Sequence, residues 1–180
     1  HTGLLAARHV LGADLTVVAQ GPGNLGTGTP WGFSGVAAGE AINAVAALQG
    51  RPVASLRASG GDARARHRGV SHHSLTAYGR VALAAAHVVL PVFSSAADDD
   101  VVDAELASEI ARQAGELGSA RAGHRIVEVP VDGLLAALRT CPVRLSTMGR
   151  SLDQDPAAFL AAAAAGRWAA QLVSDQIGRA

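Results

Sequence analysis

One segment of the chain, residues 57–73, concentrates the side chains that could do chemistry. Its sequence is RASGGDARARHRGVSHH, and its charged and titratable residues are Arg57, Asp62, Arg64, Arg66, His67, Arg68, His72 and His73. Like charges repel one another and resist burial, so a fold gains nothing in packing from such a cluster. The segment therefore predicts a site at which an anion, a metal ion or a reacting group offsets the charge.

The residue types in this segment indicate an anionic ligand and proton transfer. Arginine binds carboxylate or phosphate through its planar fork, so we expect the four arginines to be ligand-binding residues. Histidine exchanges protons near neutral pH, and Asp62 could orient one imidazole or pair with an arginine. Ser71 could cap a following helix and contact the ligand. The expected catalytic residues are His72, His73, Asp62 and His67.

Metal binding is a competing use of the same histidines. His67 and His72 lie five residues apart, which matches no regular pair of helical ligands, and Asp62 or the aspartates at 98–100 could supply carboxylates. The other alternative is a solvated basic loop that pairs with the AADDD segment. The sequence identifies no metal and no other cofactor.

A glycine-rich loop is the second candidate for ligand binding. Residues 21–29 read GPGNLGTGT and contain the pattern G-x-G-x-x-G, which lets backbone N–H groups approach a phosphate. The match is incomplete, because Pro30 interrupts the helix that should follow and Arg57 stands where an acidic residue is expected. A nest of N–H groups for an anion and a tight surface turn both remain open. The ligand-binding candidates here are Gly21, Gly23, Asn24, Gly26, Thr27, Gly28 and Thr29.

Composition bounds the class of protein. The 180 residues are 49% hydrophobic and 17% charged with a formal net charge of zero, which indicates one globular domain and gives no electrostatic case for nucleic acid or anionic membrane. Cys141 is the only cysteine, so the chain has no internal disulfide. No signal peptide or membrane-spanning run is apparent, so we expect a cytoplasmic protein.

The pattern of apolar runs predicts an α/β fold. Five runs read as strands, at 15–19, 52–56, 88–93 and 125–129, with a weaker one at 143–146. Six segments read as helices, at 2–11, 36–48, 74–86, 103–117, 132–138 and 155–177. Such alternation predicts a Rossmann-like three-layer sandwich with a mostly parallel sheet of about five strands. Ligands bind beyond the carboxyl ends of strands in such folds, where both candidate loops fall.

Three strings, GPGNLGTGTPWGFSG, RHRGVSHHSLTAYGR and STMGR, resemble a bacterial family, the domain-of-unknown-function family 3866. The resemblance spans nearly the whole chain. It implies no particular activity, but it adds Arg150 as a ligand-binding candidate. Members of the family carry a further N-terminal part and this sequence starts at His1, so we expect residues 1–180 to be one α/β domain from the C-terminal portion of a longer protein.

These observations predict an enzyme that binds a small phosphorylated or carboxylated metabolite, or a nucleotide, at the loops after the strands. The alternatives are a non-catalytic module that senses such an anion and a metal-dependent hydrolase. The expected partner is the small anionic ligand, with no nucleic acid and no membrane. A homodimer is a further hypothesis, because the apolar helix at 157–173 could exceed what one small core covers.

Overall fold

The computed structural model describes residues 1–20, 25–93 and 101–177. At the centre of this part is a three-stranded parallel sheet, in which β4 (His87–Val92) lies between β1 (Val53–Ser55) and β5 (Arg125–Pro130). Val53 is paired with His87, and His87 with Arg125. The three strands fall on predicted runs, and the α/β class is confirmed.

In the described part of the chain, two short antiparallel strand pairs accompany the sheet. One joins β2 (Ala58–Ser59) to β3 (Gly69–Val70), and the other joins β6 (Ser146–Thr147) to β7 (Arg150–Ser151). In the second pair the turn residues Met148 and Gly149 both have positive φ, which tight two-residue hairpins commonly require. The hairpin turns the chain back so that Arg150 follows directly after the turn.

The described residues contain six α-helices. They are α1 (Thr2–His9), α2 (Ala37–Ala47), α3 (His72–Thr76), α4 (Ala104–Gly118), α5 (Leu134–Arg139) and α6 (Pro156–Ile177). A π-helical turn, Ala77–Val81, continues α3. Short 3-10 turns occur at Ser34–Val36 and Ala65–His67.

Both faces of the sheet are buried against helices. Along β4, Val88 packs in the larger core with Ile110 of α4, whereas Val89 packs in a smaller core with Ala164 of α6. Successive side chains of a strand point to opposite faces, so α4 and α6 cover opposite sides of the sheet. This arrangement explains why the β4 sequence is an unbroken apolar run rather than an alternating one.

The predicted five-strand Rossmann-like sheet is wrong, because two predicted strands do not join it. Residues 15–19 form no strand, and the side chains of Leu15, Val17 and Val18 are exposed. The run at 143–146 contributes only Ser146 to the β6–β7 hairpin. An apolar run joins a sheet only where a neighbouring backbone edge is available, and within the described residues neither run pairs with the three-stranded sheet.

The helix predicted at 74–86 also differs in its bounds. It begins at His72 and ends in the π-helical turn at Val81. The Asn43 side chain of α2 accepts hydrogen bonds from the backbone N–H groups of Leu83 and Ala84, at 2.7 and 3.3 Å. A side chain distant in sequence thus satisfies the backbone where the helix has ended.

In the described residues, no helix combines the length and the apolar character that crossing a bilayer would need.

Candidate functional site

The β2–β3 pair folds the Arg/His segment into a compact loop after β1. Within this loop His67 ends a 3-10 turn, and His72 begins α3 just after β3. Gly69 is required between them, because its φ is +68° and a Cβ would lie 2.5 Å from Oε1 of Gln113. The same Oε1 of Gln113, on α4, accepts a hydrogen bond from the backbone N–H of Val70 and so ties the loop to α4.

This folding brings the three histidines together. One ring nitrogen from each of His67, His72 and His73 lies within 4.8 Å of the corresponding nitrogens of the other two. The ring centroids are 4.3–4.9 Å apart. His67 is buried, at 2% exposure, and the other two rings are half-buried. We call these three residues the histidine cluster.

Ser71 connects the cluster to the start of α3. Its Oγ accepts a hydrogen bond from the backbone N–H of His73, at 3.2 Å, which confirms the predicted helix cap. The same Oγ lies 2.7 Å from Nδ1 of His67. Ser71, and not Asp62, is therefore the side chain that orients a cluster imidazole.

Phe33 forms a wall beside the cluster. Its ring stacks on His73, with centroids 4.0 Å apart and planes inclined by 11°, and meets the ring of His72 edge-on. Phe33 is buried, and its backbone pairs with Gly26 across the glycine-rich loop. The aromatic ring thus packs the glycine-rich loop onto α3.

The cluster opens into a cavity of about 600 Å³, which we call the histidine cavity. Its lining comes from the glycine-rich loop, the Arg/His segment, α3 and the π-helical turn. The lining residues are Gly26, Gly28, Thr29, Pro30, Gly32, Phe33, Arg64, Arg66, His67, His72, His73, Leu75, Thr76 and Arg80. Arg80 was not predicted as a site residue; its guanidinium lies over the Trp31 ring, 5.8 Å from the centroid.

Burial and positive charge keep the cluster neutral. Burial lowers the pKa of His67 to about 4, with a further contribution from Arg64 and Arg57. The pKa of His73 is also lowered to about 4, first by burial and then by the neighbouring histidines. Burial and nearby arginines lower the pKa of His72 as well. At neutral pH the three rings therefore offer lone pairs rather than positive charge.

The hydroxyl groups of Thr27 and Thr29 form hydrogen bonds within the glycine-rich loop. Oγ1 of Thr27 and Oγ1 of Thr29 are 3.0 Å apart, and the Thr29 hydroxyl accepts from the N–H of Gly32. Gly28 adopts a φ of +78°. Predicted residues Gly21, Gly23 and Asn24 lie outside the described residues, so the proposed nest of N–H groups stays a prediction.

A second cavity, of about 360 Å³, lies on the other side of Arg57, and we call it the arginine cavity. Arg150 reaches it from the β6–β7 hairpin and donates from Nε to Asp155, at 2.9 Å. Arg64 forms a two-point pair with Asp62, at 2.9 and 2.8 Å. The lining residues are Gln20, Arg57, Ala58, Ser59, Asp62, Thr147, Met148, Arg150, Asp155, Ala158 and Phe159.

Asp155 holds this network together, although its sequence context predicts only a helix cap before Pro156. Its buried carboxylate accepts from the hydroxyl of Ser59, at 2.6 Å, and from the N–H groups of Gly60 and Gly61, at 2.9 and 3.3 Å. It thereby ties the start of α6 to the turn after β2. An aspartate before a proline looks like an ordinary helix start, so no local signal distinguishes it.

Asp62 is a structural partner of arginines in this geometry. Hydrogen bonds from Arg64 hold the pKa of its carboxyl well below the usual range, despite burial. Nη2 of Arg150 lies 3.6 Å from Oδ2 of Asp62, the oxygen that Nη2 of Arg64 also contacts. The prediction that Asp62 could pair with an arginine is confirmed.

Arg57 lies between the two cavities. It lines the arginine cavity, and its Nη1 is 3.5 Å from Nδ1 of His73 in the histidine cavity. Burial, together with the charge of Arg64, lowers the pKa of Arg57. The guanidinium thus connects the histidine cluster to the paired charges around Asp62.

The predicted ligand-binding residues separate into groups. Arg64 and Arg66 line the histidine cavity with the cluster, whereas Arg57 and Arg150 line the arginine cavity. Arg68 is exposed and lines neither. The carboxylates suggested at 98–100 lie outside the described residues.

A protein-family model described as protein of unknown function (DUF3866) matches residues 1–166. No curated protein and no solved structure matches the chain.

Proposed function

The chain belongs to the DUF3866 family, and we propose that it is an enzyme that binds a small phosphorylated or carboxylated metabolite in the histidine cavity. The observation that carries this proposal is the grouping of three histidines and three arginines around one cavity.

Unpaired positive charge supports the anionic class of ligand. A salt bridge with Asp62 compensates the charge of Arg64, but Arg66 and Arg80 form no salt bridge in the described part of the chain. Guanidinium groups at a cavity wall bind carboxylate or phosphate oxygens with geometric selectivity. An anion in the cavity would offset the repulsion between these cations and Arg57 behind the cluster.

The histidine cluster supports a reaction rather than binding alone. A recognition site for an anion gains from positive charge, yet burial here disfavours the cationic imidazole. Neutral ring nitrogens act as proton acceptors or as metal ligands, and both are roles in catalysis. Three such nitrogens beside a bound anion would place proton acceptors within reach of a reacting group, as hydrolysis or group transfer requires.

The first experiment screens phosphorylated and carboxylated metabolites for thermal stabilisation of the chain, and then tests each stabilising compound for product. A ligand that binds only the folded state raises the unfolding temperature. We expect at least one compound to stabilise the chain and to be converted. Stabilisation without product would indicate a non-catalytic module that senses an anion. If no compound stabilises the chain, the proposal is contradicted.

Variants of the cluster then test its role in turnover. We expect His72→Ala and His73→Ala to lose most of the activity, whereas His9→Ala, an exposed histidine on α1, keeps it. Circular dichroism and the unfolding temperature show whether each variant is folded. A folded His72→Ala or His73→Ala variant with undiminished turnover would contradict catalysis by this cluster.

A further inference from the structure

The arrangement of the histidine cluster carries an inference beyond anion binding. We propose that His67, His72 and His73 form a centre for one divalent transition-metal ion, of the class of Zn²⁺ or Co²⁺. The ion keeps coordination positions open for water and for an oxygen of the bound anion. The metal centre itself does not depend on the proposed function; only the anion that completes it does.

The distances fit a three-histidine site. Nitrogens bound to one tetrahedral ion lie about 3.4 Å apart, as follows from metal–nitrogen bonds of about 2.1 Å. The three cluster nitrogens already lie within 4.8 Å of one another. Small side-chain rotations of the half-buried His72 and His73 close the difference, since both rings border the open cavity.

The ligand type selects the class of metal. Imidazole nitrogen suits zinc, cobalt and related ions, whereas Mg²⁺ and Ca²⁺ require oxygen ligands. Every residue of the cluster is a histidine, with no carboxylate in the group. Three protein ligands with further positions left to water or substrate are typical of catalytic rather than structural zinc sites.

Ser71 supplies the support that metal-binding histidines usually have. With the proton on Nδ1, His67 donates to Oγ of Ser71 at 2.7 Å, and Nε2 then carries the lone pair that a metal needs. Such outer hydrogen bonds fix the tautomer and the orientation of a ligand ring. Ser71 is fully buried, so the contact is held by the fold.

The surrounding arginines make the metal and the anion depend on each other. Arg64 and Arg66 line the same cavity, and Arg57 lies against His73. A dication alone is repelled by these groups, whereas a dication with a bound oxyanion is not. We therefore expect an anion to strengthen metal binding, and the metal to strengthen anion binding by the same factor.

Within the proposed enzyme, the metal changes which group loses a proton. A bound ion lowers the pKa of its water, so that a metal-bound hydroxide and not an imidazole acts as the base or nucleophile. The histidines then act as ligands, which makes activity sensitive to metal removal.

Co²⁺ titration of the metal-free chain, freed of any affinity tag, tests the centre directly. Four- or five-coordinate Co²⁺ in a histidine site has an intense visible absorption band, whereas the six-coordinate hydrated ion absorbs only weakly. We expect the band to saturate at one Co²⁺ per chain, and Zn²⁺ to displace it. Repeating the titration with sulfate, a soluble tetrahedral dianion, is expected to lower the dissociation constant severalfold.

Variants assign the band to the cluster. His72→Ala and His73→Ala border the cavity and are expected to fold and to lose the band; His67→Asn tests the buried position where it folds. His9→Ala is the matched control and keeps the band. A folded wild-type chain that fails to bind Co²⁺ saturably, or a band that survives both His72→Ala and His73→Ala, overturns the proposal.

This result is separable from that of the proposed function. Metal binding without conversion of any metabolite would support the metal centre and contradict the proposed enzymatic activity. If the chain binds no Co²⁺ and its turnover is unchanged after metal removal, the enzymatic activity is supported and the metal centre is contradicted. A dissociation constant unchanged by sulfate overturns the coupling between metal and anion.

Discussion

The hydroxyl of Ser71 makes two structural contacts, because it caps α3 and also contacts the imidazole of His67. Ser71→Ala removes a helix cap and a buried hydrogen-bond partner together. Loss of a cap costs about 0.5–2 kcal/mol, and a buried group left unsatisfied costs about 1–3 kcal/mol. We expect the free energy of unfolding to fall by about 2 kcal/mol in urea titrations.

Ser108→Ala is the matched control for Ser71. The Ser108 hydroxyl is exposed on α4 and bonds only to the carbonyl of Ala104 in its own helix. Its removal should change stability by less than about 0.5 kcal/mol. Equal effects of the two substitutions would show that Ser71 does not connect α3 to the cluster.

Asp62 makes stability depend on acid pH. Arg64 lowers the pKa of this carboxyl in the folded state, so the folded chain holds its proton less tightly than the unfolded chain does. The resulting stability is present above the unfolded pKa, near 3.8, and is lost as the pH falls toward the folded value. We expect the free energy of unfolding to fall progressively as the pH drops below about 4.

Asp62→Asn tests the source of this dependence. The variant should be less stable at pH 7 and should lose less stability than the wild type as the pH drops below about 4. Asp132→Asn, at an exposed position after β5, should keep the wild-type slope. An unchanged slope in Asp62→Asn would place the acid-sensitive pair elsewhere.

At the scale of elements, α2 holds the π-helical turn in place through a close approach at Gly39. A Cβ at this position would lie 2.2 Å from the carbonyl oxygen of Ala77 and 2.7 Å from Cβ of Val81. Gly39→Ala forces α2 and the turn apart, and such overpacking costs about 1–3 kcal/mol. Gly115→Ala in α4 meets nothing within 4 Å and should add about 0.5–1 kcal/mol to the free energy of unfolding.

Thermal unfolding of the two alanine variants tests this packing. The physical reason for opposite signs is that both glycines lie within helices, whereas only Gly39 touches another element. Stabilisation by both substitutions would show that α2 can move away from the turn at no cost.

Much of the whole-molecule architecture is readable from the sequence. The apolar runs at β1, β4 and β5 and the six helical segments all correspond to observed elements, because burial on both faces leaves an unbroken apolar pattern. The run at 15–19 has the same composition but lies exposed. The composition of a segment indicates that it could form a strand. Whether it pairs depends on an available edge of a neighbouring strand, which the sequence does not show.

The same limit applies to the site. Local clustering identifies His67, His72 and His73, since they lie within one short loop. Phe33, Arg80 and Asp155 reach the two cavities from other elements, and only the tertiary fold brings them there. The dimer hypothesis stays a prediction, although Leu160, Ala161 and Ala164 of α6 are buried within the chain.

Substitutions of Arg66 and Arg68 test most directly whether the histidine cavity binds an anion. Both are exposed arginines in the same loop, but only Arg66 lines the histidine cavity. The measurement is the calorimetric dissociation constant of the most stabilising metabolite for wild type, Arg66→Ala and Arg68→Ala. Losing a charged hydrogen bond of about 1.5–3 kcal/mol predicts weakening of about 10–100-fold in Arg66→Ala. Arg68→Ala should bind as wild type does; equal affinities in all three chains, or equal losses in both variants, would contradict the assignment.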